Sequence, residues 1–210
     1  MISNGTDAPG LRSSNDYLIA GVAQIALTAP IEPSSEQVVI DAERQPGHVA
    51  TPLVALDGTA AGPGVNGFEL LAAGCVVRGF TIGGFDGSGI MVSATGCTLA
   101  GNWIGLDASG TTALANHGDG ITVSADGATI GGTTPQTRNV ISGNGVDGIR
   151  VQNGVSGCTI RGNYVGTNPA GTAAIGNSSI LTPSAGIEAN GSNIVVGGAA
   201  AGQGNVISGN

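Results

Sequence analysis

An identical six-residue string occurs twice in this chain, and it constrains the fold more than any other feature. Residues 139–144 read Asn-Val-Ile-Ser-Gly-Asn, and the same string returns at residues 205–210, 66 positions later. The chain is also rich in glycine, with 39 among its 210 residues. Self-similarity in a glycine-rich chain is typical of repeat proteins, in which one supersecondary unit stacks on the next.

A second recurring string indicates a β-strand. The pattern Gly-Ile-x-Val, or Gly-Ile-x-Ala, places its isoleucine at Ile90, Ile121, Ile149 and Ile187, with spacings of 31, 28 and 38 residues. Periods of this size are typical of solenoids. Between residues 38 and 82 the apolar runs are short and bounded by Gly, Pro, Asp or Asn, and no helical period follows residue 30. The sequence therefore predicts an all-β fold.

The repeated units alternate between two types. Residues 96–105 recur as residues 157–166, and each copy continues into a long loop, whereas residues 128–144 recur as residues 194–210. The repeating unit is thus a pair of coils of about 60 residues. We expect the isoleucines to form one buried ladder along the stack. A second ladder of side-chain amides is predicted from the asparagines of the Gly-Asn turns, namely Asn102, Asn144, Asn163 and Asn210.

These strings resemble the right-handed parallel β-helix repeat proteins of the pectin-lyase-like superfamily. They are most similar to repeat arrays of large secreted bacterial proteins, and residues 101–116 and 130–144 carry the likeness. The resemblance implies a single right-handed parallel β-helix (a solenoid) with three short strands per coil and about six or seven coils. We expect an N-terminal cap and lead-in over residues 1–37 and the parallel β-helix over residues 38–210, with alternating two-coil repeats from about residue 89.

Charge and apolar runs limit the partners. The net charge is −8 and all six basic residues are arginine, which argues against nucleic acid as a partner, because phosphate binding needs clustered positive charge. No apolar run is long enough to span a membrane. Residues 1–5 lack the features of a secretory leader. We expect a secreted or cell-surface protein whose leader is absent from this sequence.

The three cysteines share one position in the repeat. Cys75, Cys97 and Cys158 each follow a glycine and precede a short β-branched or apolar run, and no CxxC pair occurs. This spacing argues against a zinc site or a disulfide scaffold. It predicts a stacked row of small buried side chains, with a Cys75–Cys97 disulfide as the alternative.

The resemblance implies secretion, surface display or adhesion rather than a particular chemistry. We predict a non-catalytic structural or adhesive module of a secreted or surface bacterial protein, which contacts polysaccharide in one version of the hypothesis. One alternative is a polysaccharide lyase or glycoside hydrolase acting on acidic polysaccharide. Another is a self-associating scaffold that pairs end to end through its C-terminal coil. No catalytic residue is assigned, because the chain lacks the Gly-His-Gly, Asp-Asp and lysine that such hydrolases use.

Two aromatic residues are the candidate ligand-binding pair. Trp103 and Tyr164 occupy the same motif position 61 residues apart, which places them two coils and about 10 Å apart. If Ile104 points inward, strand alternation points Trp103 outward, where the two rings could stack on sugars. The competing interpretation is burial beneath the long loops of the same coils.

Carboxylates near the recurring strand are the remaining candidates. Asp86, Asp119 and Asp147 precede that strand and could align along one edge, which makes them weak calcium candidates; no other cofactor is expected. Solvated turn residues are the competing interpretation. His117 and Asp119 could form an acid–base pair, and the alternative is that Asp119 shapes a turn while His117 belongs to a loop.

Overall fold

The computed structural model describes residues 18–19, 21–48, 51–178 and 184–210, and there the chain forms a parallel β-helix. Among these described residues, the regular elements are strands apart from a short 3-10 helix at Pro135–Thr137. This confirms the predicted all-β fold. The strands are β1 (Leu18–Ile19), β2 (Val22–Ala26), β3 (Val39–Asp41), β4 (Val54–Asp57), β5 (Phe68–Leu70), β6 (Val76–Arg78), β7 (Phe80–Gly83), β8 (Ile90–Val92), β9 (Thr98–Ala100), β10 (Trp103–Ile104), β11 (Ile121–Val123), β12 (Thr129–Gly131), β13 (Val140–Ile141), β14 (Ile149–Val151), β15 (Thr159–Arg161), β16 (Tyr164–Val165), β17 (Ile187–Ala189), β18 (Val195–Val196) and β19 (Val206–Ile207).

The chain visits three parallel sheets in turn. Sheet A has the order β1-β2-β4-β7-β10-β13-β16-β19, sheet B the order β17-β14-β11-β8-β5, and sheet C the order β18-β15-β12-β9-β6-β3. One circuit through A, B and C is one coil, and each complete coil carries three short strands, as predicted. In the first coil, a single parallel bridge from Ile31 to Phe68 takes the place of the sheet B strand. Coil 1 runs from β2 to β3, coils 2 to 6 run from β4 to β18 in groups of three strands, and β19 opens a seventh.

The N-terminal end of the stack starts earlier in the chain than residue 38. Strand β2 pairs in parallel with β4, with Ala23 opposite Val54, and β1 pairs with β2 in the antiparallel sense. Parallel pairing therefore includes residues of the predicted cap and lead-in. Residues 1–17 and 20 of that segment lie outside the described residues.

Rows of aliphatic side chains fill the interior. The isoleucines of the recurring strand pair in register through β8, β11, β14 and β17, which confirms the predicted isoleucine ladder. Ile90, Ile121 and Ile149 have no exposed surface. Burying an isoleucine side chain contributes about 1.5 to 3 kcal/mol to stability. Because each of these isoleucines lies against its counterparts in the adjacent coils, stacking of the coils is what buries it.

The cysteines form the predicted row of small buried residues. Cys75, Cys97, Ala128 and Cys158 each lie directly before a strand of sheet C, and all are buried. The cysteines are free, so the alternative Cys75–Cys97 disulfide is wrong. Burial raises the pKa of the Cys97 and Cys158 thiols, which keeps these side chains in the unreactive protonated form.

Asparagine amides form two ladders rather than the single one predicted. The prediction mixed members of both, because Asn102 and Asn163 belong to one ladder and Asn144 and Asn210 to the other. The ladders flank sheet A, one on each side of its short strands. The first contains Asn102, Asn139, Asn163 and Asn205, and the second contains Asn116, Asn144, Asn177 and Asn210.

Each rung of a ladder uses both ends of the amide. In the first ladder, the Asn139 Nδ2 donates to Leu99 O at 2.9 Å and to Asn163 Oδ1 at 3.0 Å. The Asn139 Oδ1 accepts hydrogen bonds from both the backbone N–H and the Nδ2 of Asn102. An amide inside a ladder therefore ties its coil to the coils on either side, whereas the terminal amides of Asn205 and Asn210 bond only to preceding coils.

The ladders end where phenylalanine replaces asparagine. The backbone N–H of Phe80 donates to Asn102 Oδ1, and that of Phe85 donates to Asn116 Oδ1. Gly105 lies at a corner beside the second ladder, and its φ of +87° favours glycine. A Cβ added there would also lie only 2.5 Å from Asn144 Oδ1, too close for any other residue. The sequence change from Phe to Asn thus marks the passage from an aromatic to an amide-lined interior.

Candidate functional site

The structure brings the two predicted aromatic residues into one sheet. Trp103 lies opposite Val140, and Val140 lies opposite Tyr164, so one strand separates the two rings. Trp103 is only 8% exposed and packs with Leu106 and Val140 in a cluster outside the main core. The ring therefore points away from the coil interior but does not face open solvent.

The long loops cover this aromatic cluster. Each loop folds back on its own strand through an antiparallel bridge, Leu106–Ala113 in coil 4 and Thr167–Ala174 in coil 6. The backbone of Gly110 closes over the indole, since an added Cβ would lie 2.7 Å from Trp103 Cζ3. Strand β13 carries no such loop of its own, and its outward Val140 is buried in the same cluster.

Tyr164 is half-buried, and an arginine side chain lies over its ring. The guanidinium carbon of Arg138 lies 4.0 Å from the centre of the Tyr164 ring, a cation–π arrangement. The Arg138 Nε also donates to Gly162 O at 3.2 Å, which holds the guanidinium in place. Sugar stacking on Trp103 and Tyr164 stays a prediction, and the observed packing already occupies faces that a sugar ring would use.

Two of the three candidate calcium ligands share a row on sheet B. Asp119 and Asp147 each lie two residues before the recurring isoleucine. The backbone N–H of Asp147 donates to Asp119 Oδ1 at 3.1 Å, and that of Ala185 donates to Asp147 Oδ1 at 2.7 Å. Asn66 accepts from the N–H of Ser88 in the same way, at 2.7 Å. We call this third ladder, Asn66, Ser88, Asp119, Asp147 and Ala185, the carboxylate row.

Asp86 lies outside the carboxylate row. Its Oδ1 is 3.1 Å from the Nδ1 of His117, and its Oδ2 accepts a hydrogen bond from the backbone N–H of Gly64 at 2.7 Å. These two contacts lower the pKa of Asp86, the Gly64 bond being the larger cause. The pair of His117 with Asp119 considered from the sequence is absent, because His117 is exposed beside Asp86 whereas Asp119 is buried.

A guanidinium holds the carboxylate row together. The Arg150 Nε donates to Asp147 Oδ2 at 3.1 Å and lies 2.8 Å from Glu188 Oε2 and 3.7 Å from Asp119 Oδ2. The Thr122 hydroxyl donates to Asp119 Oδ2 at 2.8 Å. Arg150 therefore supplies the positive charge that adjacent carboxylates require. Among the described residues, no group of three or more His, Cys, Asp or Glu side chains suits a metal ion.

Burial dominates the protonation of Asp119. It raises the pKa of this carboxyl above its usual value, while hydrogen bonds from Thr122 and from the Asp147 N–H, together with the charge of Arg150, act in the opposite direction. The folded protein thus holds a proton on Asp119 more tightly than the unfolded chain does.

A polar groove on the outer face of sheet B was not predicted. It spans coils 5 and 6, has a volume of about 330 Å³, and is lined by Arg150, Gln152, Asn153, Glu188 and Asn190. The signal in the sequence is alternation: Ile-Arg-Val-Gln at residues 149–152 and Ile-Glu-Ala-Asn at residues 187–190 place polar residues at every outward position. Only the inward residues of these strings entered the sequence prediction.

No protein-family model, curated protein or solved structure matches this chain. In the part of the chain that the structure describes, no helix has the length and apolar character needed to cross a membrane.

Proposed function

We propose that this chain is a non-catalytic structural module, a rigid spacer of a secreted or surface bacterial protein. The observation that supports it best is the pair of asparagine ladders. From coil 4 onward their amides are directed to neighbouring coils, and Asn102, Asn116, Asn139, Asn144, Asn163 and Asn177 are buried. These buried polar side chains form hydrogen bonds that hold each coil on the next.

A stack of this kind has the mechanics of a rod. Each coil contacts only its neighbours, so stability grows with the number of coils and the length is set by the rise per coil. Six coils at about 4.8 Å each give a length of about 29 Å. Membership of the pectin-lyase-like superfamily is part of the proposal, supported by the motifs at residues 101–116 and 130–144 together with the parallel coils.

Duplicating one coil pair tests the proposal. Residues 102–162 would be inserted a second time between Gly162 and Asn163, so that both junctions keep the native Gly-Asn step. A modular spacer lengthens by about 10 Å, measured by small-angle X-ray scattering, and its Tm does not fall. A control variant carries the same insertion with both copies of Asn139 replaced by alanine, and it should lose stability. An unfolded or aggregated insertion variant would contradict the proposal.

The enzyme alternative has its own test. The chain would be incubated with pectin, polygalacturonate and alginate, with and without calcium. Release of unsaturated or reducing ends at a rate above the background would overturn the structural proposal and favour a lyase or hydrolase.

Self-association is the second candidate function. Strands β18 and β19 expose apolar side chains, with Val196 and Ile207 being 46% and 48% exposed, at a sheet edge that another coil can cover. A second copy of the chain would bury them by strand pairing. Light scattering across a hundredfold range of concentration tests this: a rising mass supports it, and a constant monomer mass would exclude it.

A further inference from the structure

Four asparagines in the described part of the chain directly precede a glycine, namely Asn66, Asn144, Asn153 and Asn190. Asparagine is among the chemically labile residues of proteins. In an Asn-Gly step the backbone nitrogen of the glycine can attack the side-chain amide, because glycine has no Cβ to hinder the approach. The attack needs a backbone N–H that is not hydrogen-bonded and a side chain that can turn towards it. The surroundings of the four steps differ in both respects.

The step after Asn144 is held by the second asparagine ladder. The Asn144 Nδ2 donates to Ile104 O at 3.1 Å and to Asn177 Oδ1 at 2.8 Å. The N–H of Gly145 donates to Asn116 O at 2.7 Å. Both reacting groups are therefore engaged in hydrogen bonds between coils.

The step after Asn66 is held in the same way. The Asn66 Oδ1 accepts the N–H of Ser88 at 2.7 Å, and its Nδ2 donates to the Glu69 carboxylate. The N–H of Gly67 donates to Ser88 O at 3.1 Å. Attack at this step would first have to break these bonds.

The step after Asn153 carries no such restraint. Asn153 and Gly154 are exposed in the turn that follows β14, and neither the Asn153 amide nor the Gly154 N–H makes a hydrogen bond to any of the described residues. A Cβ added at Gly154 would have no atom within 4 Å, so the space around the step is open. The bond that closes this turn, from the Val155 N–H to Gln152 O, is long at 3.3 Å.

The step after Asn190 is an intermediate case. Its amide is exposed, but the backbone is fixed on both sides of Gly191. The Asn190 N–H donates to Val151 O at 3.0 Å, and the Ser192 N–H donates to Val155 O at 2.8 Å. These two bonds restrict the backbone rotation that the attack requires.

We propose that Asn153 is a site of spontaneous deamidation. The backbone nitrogen of Gly154 forms a bond to Cγ of Asn153, and Nδ2 leaves as ammonia with the proton that the Gly154 N–H gives up. Water then adds to the five-membered succinimide ring and opens either of its two C–N bonds, which leaves aspartate or isoaspartate. No bond is oxidised or reduced, and water is the only other reactant.

The product changes the polar groove on sheet B. Asn153 lines this groove together with Arg150 and Glu188. Arg150, the one cation among the lining residues, already lies 3.1 Å from Asp147 Oδ2 and 2.8 Å from Glu188 Oε2. A carboxylate at position 153 adds one negative charge to a surface whose cation is already paired, so the groove becomes more acidic as the protein ages. This inference does not depend on the structural role of the module.

Peptide mapping by mass spectrometry gives the test. The folded protein and the urea-unfolded chain would be incubated at the same mildly alkaline pH, and the deamidation rate at each of the four asparagines would be expressed as the ratio of folded to unfolded. This ratio removes the intrinsic reactivity of each local sequence. For Asn153 it should lie within roughly threefold of one, whereas for Asn66 and Asn144 it should be at least roughly tenfold lower, because the folded structure must open there before the attack. Asn190 should lie between them.

Variants then assign the charge change. Ageing of the folded wild type should produce an acidic species on anion exchange. Asn153→Gln should remove the first such species, because glutamine would have to close a less favourable six-membered ring, and Asn190→Gln is the matched exposed control that should keep it. The proposal is overturned if the ratio for Asn153 is no higher than those for Asn66 and Asn144, or if Asn190 has the highest ratio. It is equally overturned if the first acidic species persists in Asn153→Gln.

Discussion

The asparagine ladders and the carboxylate row both provide hydrogen-bond acceptors for backbone N–H groups of neighbouring coils, but they use different side chains. In both, a side-chain oxygen in one coil accepts the backbone N–H of the equivalent residue in a neighbouring coil, as at Asn163 with Asn139 and at Asp119 with Asp147. An amide also carries its own donor, so one rung can bond to the next indefinitely. A carboxylate is acceptor-only, and a stack of carboxylates needs donors from elsewhere.

The difference explains how far each row extends. The amide ladders have four rungs each and need no help from other side chains. The carboxylate row has two adjacent aspartates and recruits the Thr122 hydroxyl and the Arg150 guanidinium. We infer that the ladders hold the coils together, while the carboxylate row is a local arrangement that shapes the outer face of sheet B.

Removing one rung should have the largest effect. Asn139→Ala leaves the buried N–H of Asn102 and the carbonyl of Leu99 without partners, and each unpaired group costs about 1 to 3 kcal/mol. We expect a loss of about 3 to 5 kcal/mol in the free energy of unfolding, measured by urea denaturation. Asn190→Ala, at an exposed position, is the control and should change it by less than about 0.5 kcal/mol. Equal effects in both variants would contradict the importance of the ladder.

Removing the cation should have a smaller effect that depends on pH. Arg150→Ala leaves Asp119 and Asp147 without their counter-charge, but the guanidinium is 40% exposed, so screening limits the loss to about 1 to 2 kcal/mol at pH 7. Because burial raises the pKa of Asp119, protonation of this carboxyl group in acid should shrink the difference from wild type. Unfolding free energies at pH 7 and pH 4 measure it, and a gap that is the same at both values would sink this account.

Neutralising Asp119 should have the smallest effect. Because its folded pKa is raised above 3.8, its favourable contribution is complete below that value and is lost as the pH rises through the folded pKa. Asp119→Asn keeps an acceptor for the Asp147 N–H, as Asn66 does for Ser88. The variant should therefore gain stability relative to wild type as the pH rises from 4 to 7. A difference that does not change with pH would show that Asp119 is not the titrating group.

Local patterns in the sequence predicted most of the fold. The spacing of Ile90, Ile121 and Ile149 predicted the recurring strand, and their parallel register is observed. The asparagines were harder, because a Gly-Asn turn looks the same on either side of sheet A. Asn139 in the first ladder and Asn116 in the second follow Arg138 and Ala115 rather than a glycine, so the turn pattern could select only part of each ladder.

The candidate sites were less predictable, because they depend on contacts between coils. Strand alternation correctly points Trp103 away from the main core, but only the folded loops show that Gly110 covers its ring. The position of Asp86 depends on the turn before β8, which pairs it with His117 rather than with Asp119. The groove arises where two coils, 38 residues apart in sequence, place Arg150 beside Glu188.

A reciprocal exchange of the two chemistries tests the central claim most directly. Asn139→Asp converts an amide rung into a carboxylate that cannot donate to Leu99 O, and Asp147→Asn does the reverse in the carboxylate row. Urea unfolding at pH 7 should show a loss of about 4 kcal/mol for Asn139→Asp, partly recovered at pH 4 where the acid can donate, and about 1 kcal/mol for Asp147→Asn. Equal losses in the two variants, or wild-type stability of Asn139→Asp at pH 7, would contradict the claim that self-complementary amides hold the coils together.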